Sequence, residues 1–93
     1  MAGDDFDPPD PAKNALNLQR HGLSLGEAER FDFDTADVLE DDTETYGEQR
    51  FRAVGRLIGG PIVVFVFTYR DEKIRAISIR KADAKERRKW LNS

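Results

Sequence analysis

Between Arg50 and Arg80 the sequence runs "RFRAVGRL", "IGGP", "IVVFVFTY", "RDEK", "IRAISIR": strand-length stretches separated by short turns. This segment constrains the fold more than any other part of the chain. Turns this short join antiparallel neighbours, because a parallel connection needs a crossover of roughly a dozen residues or more. The middle stretch is apolar on both faces, as a central strand is. In the first stretch, period two puts Phe51, Ala53 and Leu57 on one face and Arg50, Arg52, Val54 and Arg56 on the other. In the third it puts Ile74, Ala76, Ser78 and Arg80 on one face, with Arg75, Ile77 and Ile79 opposite. An arginine row is costly to bury unpaired, so the face that carries it is wet or meets an anion.

The flanks read as helices. Asp10 is an N-cap and Pro11 a first helical residue; Ala12, Ala15, Leu16 and Leu18 follow at helical spacing, and Gly22 is the stop. Ser24-x-x-Glu27 has the form of a capping box and opens a short second helix to about Phe31. "ADVLE" at residues 36–40 is a candidate fourth strand. Asp83-x-x-Glu86 opens a last helix that ends near Leu91. The expected fold class is α+β: two N-terminal helices, a three- to four-stranded antiparallel meander and a C-terminal helix, with the helices covering one sheet face. Residues 1–9, rich in Asp and Pro, are expected to be a flexible acidic lead-in, and residues 10–93 a single domain.

Several function classes are disfavoured at once. No apolar run approaches the ~20 residues of a membrane span. The acidic start "MAGDDFDPPDP" lacks the basic and apolar regions of a signal peptide. With no cysteine there is neither a disulfide framework nor a thiolate metal site, which fits the cytoplasm. One histidine without a spaced set of carboxylates makes a poor transition-metal site, and no glycine loop is built to cradle phosphate, so neither metal nor cofactor is expected. Charge is divided: residues 1–48 carry 3 basic and 14 acidic side chains (3 − 14 = −11), residues 49–93 carry 12 basic and 4 acidic (12 − 4 = +8). Either the basic half meets a polyanion, or the two halves compensate each other within the fold. The acidic stretch 40–48 is in a position to fold over the basic face.

Three stretches resemble one known family. "DPAKNALNLQRHGLSLGEA" is similar to the BrnT pattern D-x-x-K-x-x-x-N-x-x-K/R-H-G-V/I-S-F-x-E-A through Asp10, Lys13, Asn17, Arg20, His21, Gly22, Ser24, Glu27 and Ala28. "EQRFRAVGR" resembles its E-x-R-F-x-x-I-G segment through Glu48, Arg50, Phe51, Val54 and Gly55. "IRAISIRKADAKERRKW" resembles its ending through Arg75, Ile77, Ser78, Arg80, Ala82, Glu86, Arg87 and Trp90. The resemblance implies a toxin of a bacterial type II toxin–antitoxin system with a RelE-like fold. It implies an RNA substrate cleaved without a metal, inhibition of translation, and a hetero-oligomer with a BrnA-like DNA-binding antitoxin. Operator DNA would be reached only through that antitoxin.

Metal-independent RNA cleavage needs fixed cations aimed at a phosphorane-like transition state, and groups that move the protons of the 2′- and 5′-oxygens. Arg50, Arg80, Arg75 and His21 are the catalytic candidates, and Arg52, Arg56 and Lys81 the candidates for holding the rest of the RNA. Each has a plainer reading. Arg50 would be a surface residue, Arg80 a salt bridge to the acidic half, and Arg75 a structural ion pair. His21, in the last turn of a helix, would answer the helix dipole and nothing more. The other candidates for moving a proton are Glu48, Tyr46, Tyr69 or an arginine. Phe51, Phe65 and Phe67 could stack bases, although period two assigns them to the core. A non-catalytic module that binds nucleic acid or a partner protein through the same basic face is the alternative function.

Overall fold

The computed structural model describes residues 5–40 and 47–93. Its centre is an antiparallel sheet in which spatial order follows chain order: β1 (Asp37–Glu40), β2 (Phe51–Arg56), β3 (Ile62–Arg70) and β4 (Lys73–Lys81). The candidate fourth strand is therefore real, and it pairs Asp37 with Val54 and Glu40 with Phe51. Asp71 and Glu72 alone join β3 to β4, with φ of 54° and 65°. Positive φ at both positions is the two-residue turn whose twist matches that of the flanking strands.

Among the described residues two α-helices flank the sheet. α1 (Pro11–His21) starts where Asp10 accepts a hydrogen bond from the Lys13 N–H, and ends at Gly22 with φ 74°. α2 (Ala84–Leu91) starts in a complete capping box, with Asp83 and Glu86 each accepting from the other's backbone N–H. The short second helix is present as a 3₁₀-helix, Leu25–Arg30, but the expected capping box does not form: the Ser24 side chain makes no capping bond. Leu25, Ala28 and Phe31 are all buried and three residues apart, a spacing that a three-residue turn stacks on one side. A short 3₁₀ turn, Phe33–Thr35, follows.

The core lies on one side of the sheet. Phe65, Ala53 and Ile79 are fully buried there beneath Leu25, Ala28 and Phe31. Phe31 and Phe65 have ring centroids 5.3 Å apart, Phe33 and Phe67 5.7 Å, and Phe51 stacks on Phe67 at 5.4 Å. Phe65 and Phe67 thus belong to the core, and Phe51 packs against it. Gly55 makes the close approach possible: a Cβ there would lie 2.9 Å from the Phe31 ring.

Strict alternation fails in β4. Val66 pairs with Ser78 but Phe67 pairs with Ala76, so Ile77 is an extra residue at a bulge. The bulge reverses parity. Ile74, Ala76 and Ile79 share the core side, while Arg75, Ser78 and Arg80 share the other. This corrects the expected division, which set Arg75 beside Ile79 and opposite Arg80.

The helices do not cover a single face. The N-terminal helical segments pack on the core side and along β4, whereas α2 lies over the outer side, against Arg52 and Val54 of β2. The described part of the lead-in lies against the sheet. Ile74 donates to Asp5 O (2.8 Å) and accepts from Asp7 N–H (2.9 Å), which makes Phe6 a parallel bridge on the β4 edge. Further along that edge Asn17, 6% exposed, bonds both backbone groups of Ile79: its Nδ2 donates to the carbonyl (2.9 Å) and its Oδ1 accepts from the N–H (3.3 Å). The same Nδ2 donates to Leu23 O at 2.7 Å. Buried edge groups need such partners. Asn17 meets that need and fixes α1 against the sheet.

Candidate functional site

The outer sheet face collects the cations. Arg52 pairs across to Val66 and Ser78, Arg75 to Thr68, and Arg80 to Val64, so all three side chains leave the sheet on one side. Arg50, two residues before Arg52, lines a recess with Arg75. The bulge at Ile77 makes this possible, because without it Arg75 and Arg80 would point in opposite directions.

Around the β4 edge the surface is a groove. One recess, about 260 Å³, is lined by Lys13, Glu48, Arg50, Arg70, Arg75 and Ile77. A second, about 120 Å³, is lined by Lys13, Leu16, Arg20, His21, Ile77 and Ser78, and shares Lys13 and Ile77 with the first. Both are below the ~300–1,000 Å³ of enclosed small-molecule pockets. Glu48 reaches Arg50 at 3.6 Å and Arg70 at 3.9 Å. Among the described residues no hydrogen bond or ion pair engages the Lys13, Arg75 or His21 side chains. His21 is exposed at the end of α1, on the rim of the recess that contains Ser78, so helix end and groove coincide there.

The second cationic region lies under α2. Arg80 forks onto Glu86, its Nη1 and Nη2 each donating at 2.8 Å, and Arg52 Nη2 donates to the same carboxylate at 2.7 Å. The Arg80 bonds hold the Glu86 carboxyl down from 4.5 to about 2, helped by the Asp83 N–H and the charge of Arg52. Reciprocally, Glu86 raises Arg80 above its ordinary value. The salt bridge expected between Arg80 and the acidic N-terminal half is instead made within the C-terminal half.

The remaining candidates are elsewhere. Arg56 is exposed and bonds Asp32 at 3.2 Å. The Thr35 hydroxyl first, then Arg56, lowers the Asp32 carboxyl. Lys81 pairs with Val63 on the opposite side from Arg80 and is exposed at the strand end, apart from the arginines. Tyr69 packs edge-on against Phe51 and Phe67, on the side away from Arg75. Tyr46, and with it most of the acidic 40–48 stretch, lies outside the described residues. Sequence reasoning missed Lys13, Arg70 and Glu86 as site residues. Lys13 and Glu86 were visible only as parts of motifs, and nothing local set Arg70 apart. Among the described residues no three His, Asp or Glu side chains come together as a metal site, and no helix is long and apolar enough to cross a membrane.

Comparison with known proteins gives this arrangement a family. The crystal structure of the Brucella abortus ribonuclease toxin BrnT superposes with a TM-score of 0.68 at 24% identity, over 87% of this chain and 99% of that one, and so has the same fold. No curated protein matches the sequence. The family described as the ribonuclease toxin BrnT of type II toxin–antitoxin systems matches residues 10–86, from the cap of α1 to the carboxylate that holds Arg52 and Arg80, and the chain belongs to that family.

Proposed function

We propose that this chain is an active, metal-independent endoribonuclease of RelE-like fold, whose cleavage of RNA inhibits translation in the cytoplasm. A BrnA-like DNA-binding antitoxin neutralises it and alone contacts operator DNA. The observation that carries the reading is the presence of Arg50, Arg52, Arg75 and Arg80 on one sheet face, with Lys13 and His21 at its edge.

The chemistry follows from the charges. The RNA backbone lies along the β4 edge with its scissile phosphate against Arg50, Arg75 and Arg80. The neighbouring 2′-oxygen attacks phosphorus, the bond to the 5′-oxygen breaks, and the products are a 2′,3′-cyclic phosphate and a 5′-hydroxyl. Guanidiniums stabilise the charge that builds on the phosphoryl oxygens, and are suited to it because they stay charged and bind in two-pronged fashion. His21 moves a proton at one of the two oxygens, and Glu48, which lines the recess of Arg50 and Arg75, serves the other. With Arg50→Ala or Arg75→Ala, cleavage of a defined RNA in EDTA is expected to fall by about 10²–10³-fold with the fold intact. A folded wild-type protein that leaves RNA whole would refute the activity.

One observation favours the non-catalytic, partner-binding reading: carboxylates already lie against Arg50, Arg70, Arg52 and Arg80. On that reading RNA binds without being cut, and the same cleavage assay decides.

A further inference from the structure

Arg52 and Arg80 come from strands separated by β3, so their backbones are about 10 Å apart. Yet their side chains end on one carboxylate. That carboxylate is itself immobilised: Glu86 Oε1 also accepts from the Asp83 N–H at 2.9 Å, within the capping box of α2. Arg80 Nη1 has a second bond, to Lys81 O at 3.2 Å. Three of the five Arg80 N–H donors are thereby engaged by the protein. Nε–H and one Nη2–H remain, on a side chain that is 37% exposed.

The charges do not cancel. Two guanidiniums share one carboxylate, which leaves one positive charge at the surface of the arginine face. If stability alone were at stake, a partly exposed ion pair would add little. What the geometry provides is orientation: a guanidinium held in one plane with its remaining donors turned outward.

We propose that Glu86 is a positioning residue for RNA cleavage, holding Arg80 (with Arg52 as the second arm) so that its outward N–H groups meet a phosphate without reorientation. This rests on the reading of the arginine face as the cleavage site. Glu86 touches no substrate. It acts through Arg80, so its removal affects the transition state more than substrate binding.

The test is Glu86→Gln, which keeps the length and a capping oxygen but removes the charge. Steady-state cleavage of a defined RNA oligonucleotide in EDTA should show kcat reduced by roughly 10- to 100-fold with KM unchanged. ¹⁵N NMR of the Arg80 guanidinium should show separate, slowly rotating Nη groups in wild type and averaged ones in the variant. Glu86→Asp, charged but too short to reach both arginines, should fall between. Trp90→Phe, which loses the Trp90 bond to Thr35 O and loosens only the far end of α2, should keep wild-type kcat. Unchanged or raised kcat in Glu86→Gln, beside an inactive Arg80→Ala, overturns the positioning role and leaves the cleavage reading standing. An Arg80→Ala protein as active as wild type overturns both the role of Arg80 and this proposal.

Discussion

The cations of the outer sheet face fall into two groups that are held in different ways. Under α2, Arg52 and Arg80 are fixed by charge, through three bonds to Glu86. At the β4 edge, Lys13 and Arg75 have no such partners among the described residues, and the groove that they line beside His21 is fixed by a neutral amide, Asn17. The contrast shows two solutions to one problem. Cations brought together repel, and must be either tied to a carboxylate or left in water on a scaffold that is rigid for other reasons. The first gives a cation of set orientation, the second an open seat for an anion.

The two regions should break under different treatments. The largest stability effect is expected at the groove. Asn17→Ala leaves the Ile79 N–H and the Ile79 and Leu23 carbonyls without partners, and should lower unfolding stability in urea by about 3 kcal/mol. A loss under ~1 kcal/mol would mean that water replaces the amide and that the edge is less buried than described.

Acid separates the regions next. The Glu86 carboxyl sits at about 2 instead of 4.5, so its contribution to stability is present above its ordinary value and is lost as pH falls from about 4.5 towards 2. Wild type should therefore lose stability relative to Glu86→Gln through that window, the difference closing near its acid end. Asn17 does not titrate, and the loss caused by Asn17→Ala should be the same at pH 4.5 and 7. A Glu86→Gln difference that does not vary with pH would contradict the ionic account of the clamp.

The smallest expected effect lies away from both regions. Asp71 and Glu72 adopt positive φ in the β3–β4 turn, a conformation that Asn and Gly adopt more easily. Replacing the pair by Asn-Gly should raise stability by about 0.5–1 kcal/mol and leave both cationic regions as they are. A change in RNA cleavage with that variant would show that the turn is coupled to the groove.

The strands and caps were legible because each is written in local chemistry: alternation in "RFRAVGRL", Asp10 before Pro11, the Asp83–Glu86 box. The arginine face was half legible. Arg50 and Arg52 follow from alternation in one strand, but the Arg75–Arg80 relation depends on the bulge at Ile77. A bulge is decided by pairing with β3, and "IRAISIR" alone contains no sign of it. Glu86 was read as a helix cap, which it is, and that local role concealed the long-range one. The second helix was legible as a helix but not as 3₁₀, because a six-residue segment gives helical period little room to distinguish 3.6 from 3. Phe6 belongs to the sheet edge through contacts with Ile74, far away in sequence.

The measurement that bears most directly on the account is the chemical identity of the ends made when the purified protein meets a defined RNA in EDTA, read by mass spectrometry. The arginine-face mechanism predicts a 2′,3′-cyclic phosphate and a 5′-hydroxyl, both absent with Arg75→Ala. Intact RNA from a folded wild-type protein, or 5′-phosphate ends that form only when a divalent metal is restored, would contradict it.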